Sequence, residues 1–170
     1  ELVRIEPGLK GHHTYRLFLL PGQSAASDDA VGWFEYNGTW TVGGHVEGLG
    51  RVMMHVRPEG GKFAVWSLRP ALAGRDEGED LVATRRHESA SRLLALQWGE
   101  AHLRTHGLRV APISADWKTE PSTSGQAGVL RSLGIKRDLA RTSRGEADAL
   151  IDAVKAHRRV GDVLDPKKAL

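Results

Sequence analysis

Arg51-Val-Met-Met-His-Val-Arg57 is the stretch on which the fold turns. Val52, Met54 and Val56 fall on one side of an extended chain, and Arg51, Met53, His55 and Arg57 on the other. Strand side chains alternate with a period of two, so this reads as a half-buried antiparallel strand with a basic outer face. Just beyond it, Glu59-Gly60-Gly61 marks a tight turn, and Lys62 to Leu68 returns as a second strand. Before it, Asn37-Gly38 lies between Tyr36 and Trp40, a hairpin signal because both residues tolerate positive φ. Leu2 to Ile5, His13 to Leu19, Val31 to Tyr36 and Trp40 to Val42 complete the expected strands. The glycines Gly43-Gly44 and Gly48-Leu-Gly50 lack the spacing and following helix of a phosphate-binding loop, and read as a plain turn.

Composition sets the outer bounds. A chain of 170 residues, 40% of them hydrophobic, can form one good-sized domain with a small appendage. No apolar run reaches membrane-spanning length, and Arg16-Leu-Phe-Leu-Leu20 is too short and too internal for a signal peptide. No membrane partner is expected. There is no cysteine, which excludes disulfides and thiolate metal sites and fits a reducing cytoplasm. The chain begins at Glu1 rather than Met, as expected of a trimmed protein or a piece of a longer one.

Past the strands, residues 70 to 83 form a polar acidic loop, including Ala73-Gly-Arg-Asp-Glu-Gly-Glu-Asp80. Its acidic part, Arg75 to Asp80, has the charge to fold over a basic tail. A helix is expected from Thr84 to His106, because Ala90, Leu93, Leu94, Gln97 and Ala101 recur at helical spacing and Gly107 is a natural stop. It would lie across the sheet, and Val110 to Asp116 would add a strand. Lys118 to Thr123, with Pro121 among Ser and Thr, reads as a linker. Thr123-x-x-Gln126 and Ser143-x-x-Glu146 are capping-box patterns for two short helices, with Leu133, Ile135 and Leu139 between them. The expected fold is therefore α+β. An antiparallel sheet packs against one long helix in residues 1–117, and residues 124–170 follow as a basic helical hairpin.

Charge is unevenly shared. Residues 1–120 carry 14 Lys+Arg against 15 Asp+Glu, a net of −1; residues 121–170 carry 10 against 6, a net of +4. Arg131, Lys136, Arg137, Arg141 and Arg144 fall in the hairpin's turn and at the start of its second helix. Basic side chains beside a helix N-terminus suit phosphate, so the expected partner is nucleic acid, DNA first. The pattern Gln126 … Leu130-x-x-Leu-Gly-Ile135 … Thr142-x-Arg-Gly-Glu-Ala147 … Leu150-Ile151 resembles a small C-terminal module of actinobacterial, plasmid and phage proteins, several concerned with DNA. In outline it is similar to SAP-type helical hairpins, which bind duplex DNA. That resemblance implies Arg131, Lys136, Arg137 and Arg144 as the phosphate-facing residues. The segment from Leu133 to Leu150 also resembles ubiquitin-associated-like three-helix modules, which bind proteins.

The sheet offers a second surface. Trp33, Phe34, Tyr36, Trp40, Phe63 and Trp66 cluster on the hairpins, where aromatics either fill a core or stack on unpaired bases. On the stacking reading, Trp66 would take a base while Arg51, His55, Arg57 and Lys62 follow a backbone.

Catalytic patterns are weak. His102 and His106 lie four apart on the expected helix, a spacing that can share one metal ion, but no carboxylate completes a known motif. His12-His13 and His45/His55 have no spacing signature. Asp116-Trp-Lys118 has the Asp-x-Lys form of nuclease strand ends, without an acidic partner nearby. Ser24, Ser67, Ser89 and Ser114 lack a nucleophile elbow. No cofactor motif is present. The reading is a nucleic-acid-binding accessory or regulatory protein rather than an enzyme. The alternatives are an adaptor docking through Leu133, Ile135 and Leu150, and a metal-dependent nuclease-like enzyme.

Overall fold

Period-two alternation carries five segments into one antiparallel sheet. The computed structural model describes residues 3–5, 17–24, 26–71, 81–110, 113, 115, 118, 120–138 and 141–168. Strands β1 (Val3–Ile5) and β2 (Leu17–Leu19) form a small pair. Strands β3 (Phe34–Tyr36), β4 (Thr39–Val46), β5 (Gly50–Glu59), β6 (Lys62–Pro70) and β7 (Leu81–Ser89) form the main sheet, each beside its sequence neighbour. Phe18 of β2 exchanges backbone hydrogen bonds with Trp33, which ties the small pair to the main sheet. The Asn37-Gly38 turn has positive φ at both residues, 49° and 72°, so the hairpin follows from its sequence.

The helices are α1 (Arg92–Thr105), α2 (Ser124–Ser132) and α3 (Arg144–Leu164), with a 3-10 turn at Pro166–Lys168. The molecule is thus α+β, with a five-stranded antiparallel sheet and a C-terminal helical pair. No helix among the described residues is long and apolar enough to cross a membrane.

Three local expectations are corrected. The helix expected from Thr84 begins at Arg92; Thr84 to Ser89 belong to β7, which pairs with β6 from Pro70↔Leu81 to Phe63↔Ser89 around a bulge at Val65/Trp66. Ser91 caps α1, its hydroxyl accepting from the Leu94 N–H at 3.3 Å, and so fixes where the helical path starts. Gly43-Gly44 is not a turn but lies within β4; the chain reverses over Glu47 to Leu49, and Gly50 opens β5. The face of β5 read as basic and outward is largely covered, with Met53 and His55 buried and Arg51 and Arg57 half-buried.

The cover is α3. Sheet alternation sends Trp40, Val42, Met54, Val56 and Val65 to one face, where Ala95, Leu96 and Leu103 of α1 close the core. It sends Met53, Ala64, Trp66 and Leu68 to the other, where Ala156 and Val160 of α3 lie. Further up α3, Ala147, Leu150, Ala153 and Val154 pack with Leu17, Leu19, Phe34 and Leu130 of α2. At about 1.5 Å per residue α3 is about 30 Å long, enough to span the sheet. One apolar seam therefore crosses the expected boundary at 118–123. Each buried Leu or Val in it contributes about 1.5–3 kcal/mol of transfer free energy.

Candidate nucleic-acid interface

The C-terminal pair is tied at its N-terminal ends. Thr123 and Gln126 make the expected capping box: the Gln126 N–H donates to the Thr123 hydroxyl at 3.1 Å, and the Thr123 N–H donates to Gln126 Oε1 at 2.8 Å. The Gln126 amide then donates to the Arg144 carbonyl (3.1 Å) and to Asp148 Oδ1 (2.7 Å), so a cap of α2 also fixes α3. Ser122 N–H to Thr142 O (3.0 Å) and Arg144 N–H to Glu120 O (2.7 Å) lash the starts of the two helices together. At the far end, Arg158 donates to the Leu133 carbonyl. The helices therefore run in the same direction, and residues 133–142 return from the end of α2 to the start of α3.

That returning segment and the helix ends beside it carry the cations. Arg131 and Lys136 are exposed and, among the described residues, have no ion pair. Arg141 is exposed and lies 3.5 Å from Asp138, itself exposed, a pairing worth little in water. Arg144 is half-buried and lies 3.6 Å from Glu120. Arg137 is committed differently, because its guanidinium pairs with Glu146, which is buried. Burial pushes the Glu146 carboxyl up and Arg137 pulls it back down. Ser143 caps α3, accepting from the Glu146 N–H at 3.1 Å; the Glu146 side chain goes to Arg137, leaving only half of a capping box.

The sheet residues are placed elsewhere. Trp66 is 4% exposed under α3 and donates to Glu59 Oε1 at 2.8 Å, so no ring face is open to a base. Trp33, Phe34 and Trp40 are buried as well, and the aromatic cluster is core rather than a stacking platform. Arg51 reaches across to α3, where Nε and Nη2 meet the two oxygens of Asp152 at 2.8 and 2.5 Å. Asp152 is buried, which pushes its carboxyl up, while the fork of Arg51 opposes that shift. Arg57 lies 3.6 Å from Glu59. Its Nε and Nη1 are buried without a hydrogen-bond partner, beside His55 and His157. The structure thus gathers Arg131, Lys136, Arg137, Arg141 and Arg144 along one segment. It separates them from Arg57 and Trp66.

Of the adaptor residues, Leu150 is buried, while Leu133 and Ile135 are half-buried against the same core. His102 and His106 meet at 4.2 Å between ring centroids in a tilted pair, and His102 stacks on Trp98, which stacks on His87. Among the described residues no group of three or more His, Cys, Asp or Glu could hold a metal ion. Asp116, the acidic segment 75–80, His12-His13 and Leu139 lie outside the described residues. The sequence reading missed Asp148 and Asp152. Their signal is two carboxylates four apart among the small and apolar residues of α3, on the face that packs inward. Comparison with known families, curated proteins and solved structures gives no match to this chain.

Proposed function

We propose that the chain binds nucleic acid, DNA in the first place, as an accessory or regulatory protein. The 131–144 segment grips backbone phosphates. The observation that carries this reading is the exposed cation set Arg131, Lys136 and Arg141, opposed on the surface of that segment only by Asp138. Arg137 and Arg144 add positive charge at the start of α3 but are partly engaged by Glu146 and Glu120. Phosphate contacts of this kind supply affinity and position without reading sequence. Because Trp33, Trp40 and Trp66 are buried, base stacking on the sheet contributes nothing.

The test is fluorescence anisotropy with labelled duplex and single-stranded DNA over a salt series. Affinity should fall steeply with salt. The variant Arg131→Glu/Lys136→Glu/Arg141→Glu should flatten the log–log slope by about 2 to 3 on duplex. A slope unchanged in that variant, or binding indifferent to salt, would overturn the reading.

A further inference from the structure

A polar cluster lies between β5 and α3 that neither the core nor the phosphate grip uses. Residues two apart on a strand share a face, so His55 and Arg57 both stand under α3. His157 of α3 meets them from above, its ring centroid 6.2 Å from that of His55 in a T-shaped pair. Arg57 is close enough to both imidazoles to act on their charge. Tyr36 of β3 packs against His157 at 5.7 Å, its ring plane 83° from the imidazole.

Four nitrogens of this cluster are buried and, among the described residues, have no hydrogen-bond partner: His55 Nε2, His157 Nδ1, and Nε and Nη1 of Arg57. The two Arg57 nitrogens are donors in every state. His55 Nδ1 lies 2.8 Å from the Thr41 hydroxyl; when that hydroxyl donates, the ring proton sits on Nε2 and makes a third donor. His157 Nδ1 is a fourth donor in one of its two neutral tautomers and in the charged ring. Each donor left unmet costs about 1–3 kcal/mol. Glu59 does not meet them. Its Oε1 accepts from Trp66 at 2.8 Å and stands 3.6 Å from Arg57 Nε, and its Oε2 lies 3.4 Å from Arg85.

We propose that His55, Arg57 and His157 form a site for one halide-sized anion, chloride foremost, held between β5 and α3. Charge selects the class, since the Arg57 guanidinium repels a metal cation and attracts an anion. Donors without acceptors select against water, whose own two hydrogens would need partners there. Burial selects the size. The nitrogens are closed off from solvent, so the ion must fit between packed side chains, which a molecular phosphate or carboxylate does not. Burial first, and then the charges of their neighbours, hold both imidazoles below their usual range, and a bound anion offsets the Arg57 charge. The site is distinct from the 131–144 cations and does not rest on the nucleic-acid reading.

An ion shared by strand and helix binds the folded chain and not the unfolded one, so it must stabilise the fold. Urea denaturation of the full chain at pH 7 reads this, with sodium chloride or bromide replacing sodium gluconate at constant ionic strength. Gluconate is too large to enter and keeps the screening unchanged. Between about 10 and 300 mM halide, a dissociation constant of about 20 mM raises the folded-to-unfolded ratio about tenfold. Arg57→Met and His157→Phe should each abolish that rise. His157 is only half-buried, and phenylalanine keeps a ring against Tyr36 and His55. That variant therefore carries the test if the Arg57 variant does not fold.

Anomalous scattering from crystals grown in bromide locates the ion directly, in hydrogen-bond contact with Arg57 Nη1 and His55 Nε2. Stability indifferent to halide, or a rise that survives His157→Phe, overturns the proposal. So does an ordered water at the cluster in the bromide crystal. Bromide seen there without halide-dependent stability also overturns it, as an adventitious ion only.

Discussion

The two faces of the sheet are built from the same strands and are chemically unlike. Under α1, β5 contributes Met54 and Val56 to a cluster with Trp33, Trp40, Val65 and Leu96 that is almost wholly apolar. Under α3, the same strand contributes Arg51, His55 and Arg57, and α3 answers with Asp152 and His157. His55 is fully buried, its Nδ1 2.8 Å from the Thr41 hydroxyl and its ring against His157. A dry face needs only volume and shape, whereas a polar face needs a partner for each group. The α1 face is therefore mainly a foundation, although α1 also buries Glu100, and the α3 face holds the Arg51–Asp152 pair.

The sharpest way to break this comparison is to remove matched volume from each side. Leu96→Ala under α1 and Leu150→Ala on α3 each truncate a buried leucine. Both should cost about 2–5 kcal/mol in urea denaturation, because the seam under α3 is as much core as the one under α1. A loss below about 1 kcal/mol for Leu150→Ala alone would show that α3 does not share the fold's core.

Acid should strike one face first. Burial lowers the His55 pKa from 6.5 to about 3, with His157 and Arg57 adding to the shift. The unfolded chain binds a proton at this residue below about pH 6.5 that the folded chain refuses. Its stabilising contribution is complete above that pH and is lost as pH falls from 6.5 toward 3, with a slope up to about 1.4 kcal/mol per pH unit. His157, also lowered by burial, adds to the loss, whereas buried Asp152 and Glu146, both raised, act in the opposite sense. The check is the difference in stability between the wild type and His55→Leu from pH 7 to 5, which should change with that sign. A pH-independent difference would remove His55 from the account.

The smallest effect belongs to the outer surface of the α3 side. Arg141→Ala removes an exposed pairing with Asp138 and should change stability by less than about 0.5 kcal/mol while weakening DNA binding at low salt. A large stability loss would mean that the segment is held by its charges rather than by Leu130, Leu133 and Ile135.

Much of this was legible where one local rule acted alone. Asn37-Gly38 specified its hairpin, the alternation of Val52, Met54 and Val56 specified a strand, and Thr123-x-x-Gln126 specified a cap. The errors arose where a distant partner changed the meaning of a residue. Arg51 and His55 look like a solvent face until Asp152, about a hundred positions later, supplies a carboxylate to one and α3 covers the other. Thr84 to Ser89 sit next to a helical repeat and contain too few apolar residues to declare a strand, so only pairing with β6 decides them. Of the interface, the cations were readable as a run, but the engagement of Arg137 by Glu146 was not.

The approach of α3 to β4 at Gly43 sets limits on how the protein can change over generations. A Cβ built at Gly43 would lie 2.1 Å from Asp152 Oδ2, so even alanine there requires the carboxylate to leave. A shorter residue at 152 in turn strips Arg51 of its bidentate partner. Positions 43, 51 and 152 form an epistatic triplet, in which no single step away from Gly, Arg and Asp is neutral. Drift along this seam therefore needs coordinated changes, because losing Arg51 alone would leave the Asp152 carboxylate buried without its cation.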